Sequence, residues 1–316
     1  MRQTKISTPV PICDFETMRT YVAHTIERHV ETEQDYQSPV PGLTLFRRDK
    51  PQPPASCFVE TSIVVAVQGE KQMLSADKAY PYNAKQFLLT SLDMPVSSQV
   101  LKASPEMPCL GITFRLNMRI MAEIMARGVI QVPRDYPVEN YASINRGTVT
   151  CDLLDTFMRL VNLLDTPDYI PFMTPLIEYE IHFRLLQSDM GWYLMQNASV
   201  GSKERRIAKA IEWLKENYRQ ELHINTLTEH AQMSKSSLYQ HFRNLTGMTP
   251  LQYQKWLRLT EAKRLMLTEG INAASAAFRV GYQSPSHFSR EYNALFGAPP
   301  KRDVADLRSK FEGQRV

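Results

Sequence analysis

The sequence predicts an α+β protein of two domains. A small antiparallel β-barrel or sandwich with flanking helices comes first, and an all-α domain with two helix-turn-helix units follows. Three observations carry this. Short β-branched segments, separated by Pro, Gly, Asn or Asp, fill residues 42–117. Helical periodicity dominates from about residue 204 onward. One pattern occurs twice, 50 residues apart: SKSSLYQHFRNLTG, Ser234 to Gly247, and SPSHFSREYNALFG, Ser284 to Gly297. A length of 316 residues is ample for two separate cores.

Taken in order, residues 14–33 read as an amphipathic helix, capped by Asp14, with Met18, Val22 and Ile26 on one face. Proline clusters at 39–41 and 51–54 are expected to break the chain. The segments GLTLF, SIVVAVQG, KQFLLTSL, SSQVLKAS and CLGITFRL then suggest about six short strands. Helices are expected at 118–129, 150–165 and 172–188. Leu153, Phe157, Leu160, Val161 and Leu164 form one apolar stripe, and Leu176, Ile177, Ile181 and Leu185 form another. Such stripes cover a barrel or meet a partner helix. The polar, small QNASVGSK places a linker at 196–203. The expected domains are therefore 1–195 and 204–303, with a C-terminal tail at 304–316.

In the C-terminal part, Ile207, Ile211, Leu214 and Tyr218 mark the buried face of a first helix, and a second runs from Ile224 to Ala231. In TPLQYQKWLRLTEAKRLMLTEG, Thr249 caps a long helix, Pro250 suits its first position, and Gly270 stops it. A short helix at 272–280 ends before Gly281. In both copies of the repeat, serine caps a helix and glycine ends it. Leu238, Phe242 and Leu245 make one buried stripe, and Phe288, Tyr292 and Leu295 the other. The helix-turn-helix units are thus expected at about 222–245 and 272–296. The long helix between them is about 28 Å at 1.5 Å per residue. Major-groove segments on one face of DNA recur about every 34 Å. A rod of that length suits two reading helices set one DNA turn apart.

Charge is uneven. Residues 201–316 hold 19 Lys+Arg against 11 Asp+Glu, and the first 200 residues hold 18 against 22. A basic C-terminal third on a mildly acidic body points to a polyanion met by that third alone. The N-terminus lacks the apolar region of a secretory signal, and no charge-free run approaches a membrane span. The cysteines, at 13, 57, 109 and 151, form no CxxC or metal-type pair. That spacing reads as four free thiols in a reducing cytoplasm. Metal enzymes on small barrels converge histidines from strands, yet residues 42–117 contain none. His24, His29 and His182 have no ligand spacing, and no GxSxG, HExxH or P-loop occurs. No enzyme activity, cofactor or metal is expected.

The stretches FRVGYQSPSHFSREYNALFGAPP and MSKSSLYQHFRNLTGMTPLQYQKWLRLTEAKRLML resemble the DNA-binding domain of the AraC/XylS transcription regulators. VVAVQGEKQML, YPYNAKQFLLTSLDMPVSSQV and SPEMPCLGITFRLN resemble the cupin-like N-terminal domain of one branch of that family. The resemblance implies seven C-terminal helices and an N-terminal sensor and dimerisation domain. It implies that Ser236, Tyr239 and Gln240 face bases, with Lys235 and Arg243 reaching phosphates. In the second unit Ser286, His287, Ser289 and Arg290 stand at the reading positions, and Arg290 suits a guanine. Ser286 and Ser289 have phosphate contact as their alternative, and His287 plain exposure. Three departures stand out: Gln232 where glycine is common, Thr228 where alanine is usual, and Lys301, Arg302 and Asp303 after the double proline.

The implied partners are double-stranded promoter DNA, RNA polymerase, a small-molecule effector and a second copy of the chain; no membrane is expected. Activation is the expected sense, in a cytoplasmic, nucleoid-associated protein. Repression and non-specific architectural binding remain the alternatives. The effector site is not legible. Cys57 and Cys109 are candidate thiol sensors, with buried, inert packing as the plainer reading.

Overall fold

The computed structural model of the chain describes residues 14–75, 78–128, 143–198 and 201–312. The described residues fall into two compact units, one before and one after the division at residues 199–200.

In the first unit, helix α1 (Phe15–His29) starts where Asp14 accepts a hydrogen bond from the Glu16 amide. It buries Val22 and Ile26 as the periodicity requires, and ends at His29 because Val30 leaves helical geometry. Ten strands follow among the described residues. These are β1 (Gln34–Gln37), β2 (Leu43–Arg48), β3 (Gln52–Val59), β4 (Ser62–Gln68), β5 (Glu70–Ser75), β6 (Lys78–Asn83), β7 (Gln86–Thr90), β8 (Met94–Lys102), β9 (Cys109–Arg115) and β10 (Ile144–Thr148). They form two antiparallel sheets, ordered β1-β2-β9-β4-β7-β10 and β3-β8-β5-β6.

The apolar run SIVVAVQ is buried along most of its length because both faces of its sheet are covered. Ile63, Val65 and Val67 of β4 join the core on the helix side. Val64 and Ala66 join the core between the sheets, with Phe46, Leu88 and Cys109 from the same sheet and Met73, Tyr82, Val96 and Val100 from the other. Alternation along the strand sorts one sequence into two cores.

Several expectations change. The prolines at 53 and 54 do not end the chain's regular structure but lie within β3, and Pro81 lies within β6. Both are edge strands, and β3 shifts register between Gln52 and Ala55, so the missing amides cost no ladder bond inside the sheet. The outer face of the six-stranded sheet is covered by α1, α2 (Met118–Ala126), α3 (Cys151–Asn162), α4 (Ile170–Gln187) and α5 (Gly191–Ala198). Helix α5 occupies the first residues of the expected linker. In α4, Ile177, Ile181 and Leu185 are buried as expected, but Leu176 is 64% exposed. Position 176 turns toward the side of the helix that carries Tyr169, Phe172 and Met173.

His182 is fully buried and plays a packing role. Its Nε2 accepts from the Asn117 amide at 2.8 Å, and its Nδ1 lies 2.7 Å from the Glu178 carbonyl. That pairing needs the neutral ring, and burial holds its pKa below the usual histidine value. Cys151, expected as a free thiol, is disulfide-bonded, while Cys57 and Cys109 are free. Spacing along the chain does not report which residues the fold brings together. Cys13 lies outside the described residues. Among the described residues, no helix is long and apolar enough to cross a membrane.

The second unit is helical throughout: α6 (Lys203–Asn217), α7 (Ile224–Ala231), α8 (Lys235–Thr246), α9 (Pro250–Thr268), α10 (Ala273–Arg279), α11 (Pro285–Phe296) and α12 (Pro300–Glu312). The expected tail is therefore helical through Glu312. Helix α9 serves two cores. Tyr253 and Trp256 are buried in its first half, where Tyr253 meets Phe242 of α8 edge-on at 5.6 Å. Leu259, Ala262, Leu265 and Met266 in the rest of the helix pack with Ala276, Ala277, Phe288 and Tyr292.

Candidate nucleic-acid interface

Each helix pair, α7–α8 and α10–α11, is built by the same local devices. The first helix of each pair closes with a left-handed residue. After α7, the Gln232 amide donates to the Glu229 carbonyl and the Met233 amide to that of Thr228. After α10, Gly281 donates to Phe278 and Tyr282 to Ala277. This paired pattern satisfies the last carbonyls and turns the chain sharply. The second turn is one residue longer: Gln232 lies two positions before Ser234, and Gly281 three before Ser284. Serine then caps each second helix, Ser234 accepting from the Ser237 amide and Ser284 from the His287 amide, both at 3.3 Å. Gly247 and Gly297 end them at φ 73° and 77°.

Gln232 is the single non-glycine residue at positive φ among the described residues, at φ 52° and ψ 47°. The departure read from sequence is thus met by a left-handed glutamine rather than by a different turn. A side chain there costs about 1–3 kcal/mol, partly offset by the lower entropy of its unfolded chain. Gln232→Gly is expected to stabilise the unit by about 1 kcal/mol, a Tm rise of roughly 4 °C. Thermal unfolding checks this, and an unchanged or lower Tm refutes it.

The apolar stripes face inward: Leu238, Phe242, Phe288 and Tyr292 are 0% exposed, Leu245 is buried, and Leu295 is half-buried. The opposite faces are open. Lys235, Ser236, Gln240 and Arg243 are exposed and Tyr239 is half-buried on α8. On α11, Ser286, His287 and Arg290 are exposed and Ser289 is half-buried. Among the described residues, Lys235, Arg243 and Arg290 form no ion pair, whereas three basic residues on α9 and α10 are paired. Arg264 pairs with Glu261 at 2.8 Å, Lys263 with Asp303 at 2.8 Å, and Arg279 with Glu269. Each of the two capped helices thus carries an exposed cation with no carboxylate partner among the described residues.

His287 differs from its neighbours. Its Nε2 lies 3.3 Å from Glu291, and its ring meets Tyr282 at 5.8 Å. Glu291 also accepts from Lys255 at 2.5 Å and from the Tyr282 hydroxyl at 2.7 Å. Burial pushes the Glu291 carboxyl up, but those bonds outweigh it and hold the group below its ordinary value. This cluster ties α11 to α9.

A second tie was not visible in the sequence. Asp303 accepts from Tyr292 and pairs with Lys263, each near 2.7–2.8 Å, so α12 and α9 grip α11 from the other side. A third lies where the chain leaves α6. Arg258 donates to the carbonyls of Tyr218, Arg219 and Gln220, and Gln254 donates to those of Tyr218 and Gln220. The acids at 291 and 303, standing in a basic region, were the available signal for the first two ties.

Cys57 and Cys109 lie in or against the core between the sheets of the first unit. Burial raises both thiols, Cys109 to about 11. A sensor needs an accessible thiolate, and this environment opposes one.

A model of the AraC-type transcriptional regulator N-terminus matches residues 39–193, and a helix-turn-helix domain model matches 227–304. The HTH-type transcriptional activator RhaS of Pectobacterium carotovorum subsp. carotovorum (strain PC1) is 29% identical over 106 residues, which is 34% of this chain and 38% of that protein. RhaS of Yersinia pestis (strain Pestoides F) is 27% identical over 120 residues, or 38% and 42% of the two chains. The chain thus spans about two fifths of the length of these curated relatives. Unsaturated fatty acid bound ToxT from Vibrio cholerae strain SCE256 shares the fold, with a TM-score of 0.54 at 12% identity over 87% of this chain and 96% of that one. With an AraC-type N-terminal domain ahead of a helix-turn-helix domain, the chain belongs to the AraC family of transcription regulators.

Proposed function

We propose that the chain is a sequence-specific promoter-binding activator. Its helices α8 and α11 enter successive major-groove segments of double-stranded DNA. The observation that carries this reading is the pair of capped helices with open polar faces and unpaired cations, tied to one continuous 19-residue α9. Such a strut is about 28 Å long, close to the 34 Å groove repeat. Ser236, Tyr239, Gln240, Ser289 and Arg290 face bases, and Lys235, Arg243 and Ser286 reach phosphates. His287, drawn to Glu291, orients α11. Activation is supported by the RhaS relatives, which are activators by name. The protein works in the cytoplasm, where it meets DNA and RNA polymerase.

Residues 1–195 form the sensing and dimerising part, joined by the linker at 196–203 to the DNA-binding part at 204–303. ToxT binds an unsaturated fatty acid, and a small organic effector in the first unit follows by analogy of fold. The partner for dimerisation is a second copy of this chain, through Tyr169, Phe172, Met173 and Leu176. These four stand at helical spacing, with Phe172 76% exposed, and residues 169–177 carry no charge. A charge-free apolar stripe is self-complementary and suits an isologous contact. Phe172→Glu with Leu176→Glu is expected to shift the protein from dimer to monomer in sedimentation. A wild-type monomer, or an unchanged dimer in the variant, ends that assignment.

Protection mapping of promoter DNA bound by the full chain tests the main reading. Two neighbouring protected tracts, about 10 base pairs apart, are expected. A single tract, or equal affinity for specific and random duplexes at fixed salt, would leave a non-specific architectural protein instead.

A further inference from the structure

Lys71 lies on β5 and is only 8% exposed. Its register partners are Tyr82 on β6 and Val100 on β8. Residues opposite one another in adjacent strands share a face of the sheet. Tyr82 and Val100 both belong to the core between the two sheets, so Lys71 is directed into that core. Its Nζ sits 4.1 Å from the centroid of the Phe46 ring, which comes from the facing sheet. Met73, Leu88 and Val96 belong to the same core.

Buried lysines are almost always paired. Among the described residues, the Lys71 ammonium makes no hydrogen bond and no ion pair. The Tyr82 hydroxyl, on a residue 2% exposed, likewise has no hydrogen-bond partner there. An aromatic face offsets only part of the cost of taking an ammonium out of water. Neighbouring groups do not make up the difference. Asp35 is engaged by Arg48 at 2.7 Å. The Cys57 and Cys109 thiols are held neutral by burial. Burial, and then the nearby Arg48 cation, push the Lys71 amine below its ordinary value, and a bound anion would reverse that push.

We propose that Lys71 and Tyr82 form an anion subsite inside the N-terminal unit, and that it takes the carboxylate of a small organic acid. The ammonium and the phenol donate to the carboxylate oxygens. The Phe46, Met73, Leu88 and Val96 side chains suit an apolar body rather than an inorganic ion. The proposal rests on the reading of this unit as an effector domain and deepens it with a ligand class and two residues.

The test uses the full chain, with thermal unfolding as the readout. The probes are acetate, hexanoate, decanoate and benzoate, with the matching alcohols and inorganic phosphate as comparisons. Unliganded Lys71→Met is expected to melt higher than wild type, because an uncompensated buried charge has been removed. At least one carboxylate is expected to raise the wild-type Tm while its alcohol does not. That acid should need about tenfold or more higher concentration to act on Lys71→Met, and a smaller increase on Tyr82→Phe.

A lower Tm for unliganded Lys71→Met would make the lysine structural and overturn the proposal. So would a panel in which no carboxylate separates wild type from variant, or one in which phosphate alone does. Protection of promoter DNA by the unliganded variant is expected to match wild type. Its failure in wild type would count against the DNA-binding reading, independently of the subsite.

Discussion

Arg290→Ala is expected to weaken operator binding by about 10- to 100-fold at fixed salt, with a much smaller loss on a scrambled duplex. A guanidinium held against guanine O6 and N7 contributes about 1–3 kcal/mol of discrimination, and each 1.4 kcal/mol is about tenfold. The side chain is free for this work. It is exposed on α11 and, among the described residues, has no carboxylate partner. Gln240 on α8 is placed the same way, and its amide suits the N6 and N7 edge of adenine. Gln240→Ala should relax preference at one base pair of the other tract. Arg264→Ala is the control: Arg264 lies on α9, is bound by Glu261 through two nitrogens at 2.8 Å, and should matter little. Lys235→Ala and Arg243→Ala should lower affinity on all duplexes and reduce the salt slope by about one phosphate contact each. Fluorescence anisotropy on operator and scrambled duplexes across a salt series separates these cases. An equal loss on both duplexes for Arg290→Ala would make that residue a phosphate contact and remove it from the reading set.

What the sequence revealed follows physical range. Caps, stops and stripes act over three or four residues, so Ser234, Ser284, Thr249, Gly247 and Gly297 were legible, and the structure places each where the local pattern requires. Strand segments with apolar alternation or runs were legible too. Strands β3 and β6 were not, because their prolines look like breakers until the edge position of each strand is known. Contacts between distant residues left no local trace. The ties of Lys255 to Glu291 and Lys263 to Asp303 span about 40 positions, and the Cys151 disulfide obeys no motif. Leu176 shows the limit of periodicity, since a helix with apolar residues on more than one side does not announce which side meets its own core. Lys71 was invisible for a related reason: a lone lysine in a strand reads as solvent-facing until its sheet is known to be covered.

The largest stability loss is expected from Gly281→Ala, the position matching Gln232 in the other turn. Both residues are left-handed, Gly281 at φ 93°. At Gln232 a side chain is tolerated because it is exposed. At Gly281 a β-carbon would fall 2.1 Å from the Arg219 carbonyl oxygen and 2.9 Å from its carbon. Arg219 cannot retreat freely. Its carbonyl and those of Tyr218 and Gln220 are held by Arg258, and Gln254 holds the latter two again. The left-handed backbone costs about 1–2 kcal/mol for an L side chain. Breaking a charge-assisted bond of Arg258 adds about 1.5–3 kcal/mol. Together these approach half the stability of an ordinary domain, about 5–15 kcal/mol. The damage falls on the junction where the turn before α11 rests on the segment leaving α6. Protection of the tract read by α11 should therefore fail at a lower temperature than protection of the tract read by α8. Arg258→Ala should show the same order of loss in milder form, because it frees the same segment without adding an atom. A Gly281→Ala protein that melts with wild type, or that loses both tracts together, would mean that this junction does not set the second reading helix.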